Sequence, residues 1–111
     1  VEEGMSIEAK ILNRAGDICA AGWCQGKDKK VIDGKECRCA VAAIQAAGIE
    51  IDRSKEFDAY DAMLETIRRS GFDFSPHLSP IVSEWNDKPD RTQAEVVAMF
   101  RKAAEEAKAN G

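Results

Sequence analysis

Apolar side chains recur along the chain in four stretches at helical spacing. In the first, Ile7, Ile11, Ala15 and Ile18 follow at intervals of four, four and three, with Leu12 and Cys19 beside them. That places them on one helical face. Ser6 is positioned to cap the N-terminus, Glu8 suits the first turn, and Gly22 closes a helix expected over 6–21. Gly16 sits inside this helix and weakens it by about 1 kcal/mol relative to alanine. The second stretch, 37–47, is apolar nearly all round, with only Arg38 and Gln45 polar, and Gly48 follows. Such an Ala-rich helix is expected to be buried on several sides, as the central helix of the domain. The third, 54–70, carries Phe57, Tyr60, Met63, Leu64 and Ile67 as one stripe and ends at Gly71. The fourth opens with Thr92-Gln93-Ala94-Glu95, a capping box, and continues with Val96, Phe100, Ala103 and Ala107 on one face.

Shorter elements lie between. Ser79-Pro80 reads as an N-cap followed by Pro at the first helical position, predicting a short helix over 80–85. Asp33-Gly34 is a tight-turn signal, so a hairpin or a tight loop is expected near residues 29–36. The fold class is therefore mainly α, a small single-domain bundle of about four principal helices over 1–111. Met5-Ser6 reads as a natural start, and residues 1–5 are expected to be disordered or foreign to the natural chain.

Composition narrows the function classes. The 111 residues are 44% hydrophobic and 32% charged, with a net charge of −4. That balance suits a globular domain and opposes a broadly basic surface for nucleic acid or anionic lipid. The run Lys27-Asp28-Lys29-Lys30 holds an acid and no interleaved aromatic, which fits a solvated loop. Charges interrupt every apolar run, so no membrane span is expected, and no secretory signal is visible near the N-terminus. A cytoplasmic location is the expectation.

Candidate chemistry lies outside the periodic stretches. Cys19, Cys24, Cys37, Cys39 and the single histidine, His77, could supply zinc ligands. Cys37-x-Cys39 is tighter than the usual pairing of two to four intervening residues, and the thiols are expected to be free and buried, with no metal and no cofactor. A second arrangement is nucleophilic: Cys24 as thiolate, His77 as base, and Asn86 or Asp87 to orient it. A third is recognition, with Trp23 and Trp85 at helix boundaries, Gln25 and Arg91 beside them, and tryptophan and arginine typical of interface anchors. Burial tendencies favour core or rim roles for both indoles.

Gly22-Trp23-Cys24-Gln25-Gly26, Cys39-Ala40-Val41-Ala42-Ala43-Ile44, and Trp85-Asn86-Asp87 with Arg91-Thr92 and Glu95-Val96 resemble a family of small uncharacterised proteins of bacteria and bacteriophages, a domain of unknown function. The resemblance runs from the first helix to the last. Ala42 stands where the family pattern has glycine, and Lys88-Pro89-Asp90 replaces a more Gly-rich turn. The resemblance implies a shared fold and carries no established activity. It favours a phage or mobile-element setting, in which small acidic helical proteins act by binding a host protein.

The leading expectation is thus a non-enzymatic protein-binding module that inhibits or modulates a host complex, with homo-oligomerisation left open. The alternative is a thiol-dependent enzyme or redox switch centred on Cys24.

Overall fold

The computed structural model describes residues 5–110. The elements are α1 (Ile7–Ala21), β1 (Lys29–Ile32), β2 (Lys35–Arg38), α2 (Ala40–Ile51), a 3-10 turn (Arg53–Lys55), α3 (Glu56–Arg69), α4 (Val82–Asn86) and α5 (Gln93–Asn110). Four long helices, a short fifth and a small hairpin form a mainly α bundle. No helix of the described residues is long and apolar enough to cross a membrane.

Helix α1 begins where local chemistry places it, with Ser6 Oγ accepting the Ala9 N–H at 3.1 Å. Its face of Ile11, Leu12, Ala15 and Cys19 is fully buried. Gly16 is a close-approach position: an added Cβ would lie 3.2 Å from Phe100 Cβ and 3.0 Å from Arg101 Nη1. Arg101 reaches across this crossing to Asn13 O at 2.7 Å and Asp17 Oδ1 at 2.6 Å. Helix α1 packs chiefly on α5 and α2 and also meets α3, so it, and not the Ala-rich α2, is the centre of the bundle. The small side chains of α2 let that helix come close without making it the hub.

The hairpin is antiparallel, with Lys29 opposite Arg38 and Ile32 opposite Lys35. Asp33 and Gly34 turn it with positive φ values of 52° and 76°, as a two-residue hairpin loop requires. This pairing corrects the expected start of the second helix. Cys37 and Arg38 belong to β2, Cys39 is extended and caps the helix, and α2 starts at Ala40. Nor does Gly48 end it. Helix α2 runs through to Ile51, and a Cβ on Gly48 would lie 2.9 Å from Glu56 Cβ, so the glycine admits α3.

Helix α3 follows the expected stripe, with Met63 and Ile67 buried, but Phe57 is 72% exposed. The stripe sets the direction in which Phe57 points, and no element of the described chain covers it there. Helix α4 starts at Val82 because Ile81 is extended; Ser79 is not its cap. The Val82 N–H is satisfied instead by Tyr60 Oη at 3.1 Å, a tertiary substitute for a capping side chain. Helix α5 carries the capping box in both directions: Thr92 Oγ1 accepts the Glu95 N–H at 3.2 Å, and Glu95 Oε1 accepts the Thr92 N–H at 2.9 Å.

Of the N-terminal tail, residues 1–4 lie outside the described residues, whereas Met5 packs its apolar side chain against the core.

Candidate functional site

The chain leaving α1 runs through Gly22–Gly26 and lies beside β2 as a short parallel bridge. Arg38 N donates to Gly22 O at 3.0 Å, and Cys24 N donates to Arg38 O at 3.2 Å. Gly22 is extended here, with φ −178°. It is required by space: a Cβ would sit 2.8 Å from Glu36 O and 3.0 Å from Cys37 Sγ.

Asn86, at the end of α4 and fully buried, locks this segment in place. Its Oδ1 accepts the Trp23 indole N–H at 2.7 Å and the Ala40 N–H at 3.0 Å. Its Nδ2 donates to Cys24 O at 3.2 Å and Asp87 Oδ1 at 2.9 Å. Both acceptor positions and both donors of the amide are therefore used. Gln25 Nε2 returns the connection by donating to Asn86 O at 3.0 Å and Lys88 O at 2.7 Å, and Asp87 Oδ1 accepts the Gly26 N–H at 3.0 Å. Trp85 is 2% exposed. Arg91 lies over its ring at 4.2 Å and donates from Nε to Trp85 O at 3.0 Å. Desolvation is the main cause lowering the Arg91 pKa, partly offset by Glu95. The structure thus joins Trp23, Gln25, Trp85, Asn86, Asp87 and Arg91 into one clasp that holds the start of α2 and the end of α4 together.

A family model for the family of unknown function DUF6197 matches residues 6–106. The chain belongs to this family. The matched span begins at the Ser6 cap and includes both tryptophan segments, so the clasp lies wholly within the DUF6197 domain. No curated protein and no solved structure matches the chain.

In this DUF6197 domain all four cysteines are free and buried. Cys24 Sγ lies 3.4 Å from Lys27 O and 3.5 Å from Cys37 O, in position to donate to carbonyls. Burial pushes its pKa up, with neighbouring Cys39 adding to the effect. Cys39 Sγ accepts the Ala42 N–H at 3.4 Å as the cap of α2. Burial raises its pKa too, against the lowering effect of the Ala42 and Val41 amides. Cys19, inside the core, is pushed up to about 12 by burial. His77 is exposed in the loop after α3, and among the described residues no hydrogen bond joins it to Cys24, Asn86 or Asp87. Cys24, Asn86 and Asp87 therefore come together, and His77 stands apart from them. No group of three or more His, Cys, Asp or Glu among the described residues is placed to hold a metal ion.

An apolar groove with an exposed aromatic at its rim lies elsewhere. Val41, Ile44 and Gln45 of α2, with Glu56, Phe57 and Tyr60 of α3, line an open groove of about 250 Å³. The Phe57 and Tyr60 ring centroids are 6.5 Å apart. Exposed Asp61 follows one turn beyond Phe57, whereas Asp58 faces the α5 side of α3 and pairs with Lys55 at 3.6 Å. The groove is smaller than the ~300–1,000 Å³ typical of small-molecule sites. Sequence periodicity hides it, because Phe57 keeps the spacing of a core residue.

Proposed function

We propose that this DUF6197 chain is a non-enzymatic protein-binding module of the cytoplasm, and that the groove between α2 and α3 is its binding surface. The observation that supports this reading is Phe57, a large apolar side chain 72% exposed at the rim of an apolar groove. Exposed aromatic anchors beside a groove suit an amphipathic helix of a partner, which inserts apolar side chains at helical spacing. Glu56 in the groove and exposed Asp61 one turn beyond Phe57 favour basic flanks on that helix. In a phage or mobile-element setting the module would act by occupying a surface of a host complex and so inhibiting or modulating it.

The test compares tagged wild-type chain with Phe57→Ser in pull-downs from host lysate. Phe57 is exposed, so the variant should keep the wild-type circular dichroism spectrum and melting temperature. Partners retained by the wild type and lost with Phe57→Ser support the reading. Equal recovery with both proteins, or no partner alongside turnover of a small substrate, overturns it.

A further inference from the structure

The parallel bridge that pairs Trp23 with Arg38 has a chemical consequence one residue further on. Its register sets Cys24 opposite Cys39, and opposite residues of a parallel pair project to the same face. The neighbouring pair, Gly22 and Cys37, obeys that geometry, since a Cβ on Gly22 would lie 3.0 Å from Cys37 Sγ. Cys39 is still extended, with φ −76° and ψ 172°, before the chain turns into α2. Both cysteines also meet at Asp28: its carbonyl oxygen accepts the Cys39 N–H at 2.9 Å and lies 3.9 Å from Cys24 Sγ. The bridge ends at this pair, where the Asn86 amide links Cys24 O to the Ala40 N–H in place of the next ladder bond, so the two cysteines stand side by side at its end.

We propose that Cys24 and Cys39 are a thiol modification site, closing to an intramolecular disulfide by exchange with a low-molecular-weight disulfide. Cys39 is the entry thiol. It lines an open cleft of about 180 Å³ with Asp28, Ser83 and Asp87 among its walls. Its sulfur also accepts the Ala42 N–H at the start of α2, a bond that favours thiolate but is outweighed by burial. The Cys39 thiolate attacks one sulfur of the reagent, and the other sulfur leaves as a thiolate. Cys24, as thiolate, then attacks the Cys39 sulfur of the mixed disulfide and expels the second reagent thiolate. Two protein thiols are oxidised, one reagent disulfide is reduced to two thiols, and the two protons pass through solvent to those products. Cys37 points its thiol toward Lys35 O at 3.6 Å, and Cys19 is sealed in the core, so neither competes. The bond would fasten the segment after α1 to the first turn of α2, independently of the α2–α3 groove.

The experiment incubates the full chain with oxidised glutathione, alkylates remaining thiols after denaturation, and maps peptides by mass spectrometry without reduction. The expected result is a chain lighter by two hydrogens, a Cys24–Cys39 linked peptide, and alkylation confined to Cys19 and Cys37. Exchange should quicken as pH rises, because burial holds both thiols above the ordinary value. Cys37→Ser should still form the bond, whereas Cys39→Ser should not. Four alkylated thiols, a bond to Cys37, or a disulfide between two chains would each overturn the proposal.

Discussion

The side-chain oxygen of Asn86 accepts the indole N–H of Trp23 at 2.7 Å, across 63 residues of sequence. The same oxygen takes the Ala40 N–H, the first amide of α2. One amide therefore fixes the exit from α1, the start of α2 and the end of α4. The tryptophan segments thus have a structural role whatever else they do. Arg91 completes that role by stacking on Trp85 and bonding its carbonyl.

Replacing Asn86 with alanine would leave the Trp23 and Ala40 N–H groups and Cys24 O without their partner, two of these contacts being fully buried. An orphaned buried polar group costs about 1–3 kcal/mol, so Asn86→Ala should lose about 3–5 kcal/mol. Urea denaturation measures this directly. A loss under about 1 kcal/mol would mean that water replaces the amide without penalty, and the clasp would not stabilise the fold.

Gly22 makes a sharper steric prediction. Its φ of −178° suits any residue, so Gly22→Ala carries no backbone strain. The new Cβ would instead press on Glu36 O at 2.8 Å, a backbone atom with little room to retreat. Overpacking of this kind costs about 1–3 kcal/mol. The damage should be local, so the Cys24 and Arg38 amides, which close the parallel bridge, should lose protection from hydrogen exchange first. Unchanged protection there would contradict the packing described.

What could be read from the sequence is what neighbouring residues decide among themselves. The Ser6 cap, the Thr92–Glu95 capping box and the Asp33-Gly34 turn need only local chemistry, and each stands where residue type predicts. The start of α2 was not legible. Helix propensity favours starting at Cys37, but backbone pairing of Cys37 with Lys30, and of Arg38 with Lys29 and Gly22, outweighs it. Phe57 shows the same limit from another side. Periodicity assigns its direction, but only the neighbouring elements decide whether anything covers it. Likewise, Trp23 and Trp85 could be marked as important, yet the bond that joins Trp23 to Asn86 has no spacing to betray it.

Acid should loosen the junction of α3 and α5 through Glu106. Its Oε1 accepts from Arg69 Nη2 at 2.7 Å and from the buried Thr66 hydroxyl at 2.8 Å. The bond to Arg69, then that to Thr66, hold its pKa below the ordinary 4.5. A depressed carboxylate stabilises the fold above its unfolded value and loses that contribution as pH falls through the folded one. Wild-type stability should thus decline as pH drops below about 4.5, and Glu106→Gln should be less stable at neutral pH with a shallower acid limb. Thermal melts from pH 7 to pH 2 test this. An identical acid limb in the variant would remove Glu106 from the account.

Thiol reactivity gives the last test, because it separates structural cysteines from a catalytic one. Burial raises the pKa of Cys24 and Cys39 and pushes Cys19 up to about 12. Thiolate is the reactive form, so all three should alkylate more slowly than a free thiol at the same pH. Cys39 should lead, since it borders an open cleft, and Cys19 should trail furthest behind. Iodoacetamide labelling of the native chain, read by peptide mass at several pH values, gives the order. Denaturation should bring the three rates together. If Cys24 instead reacts faster than a free thiol near neutral pH, a thiol enzyme centred on it becomes the better reading, and the binding module loses its footing.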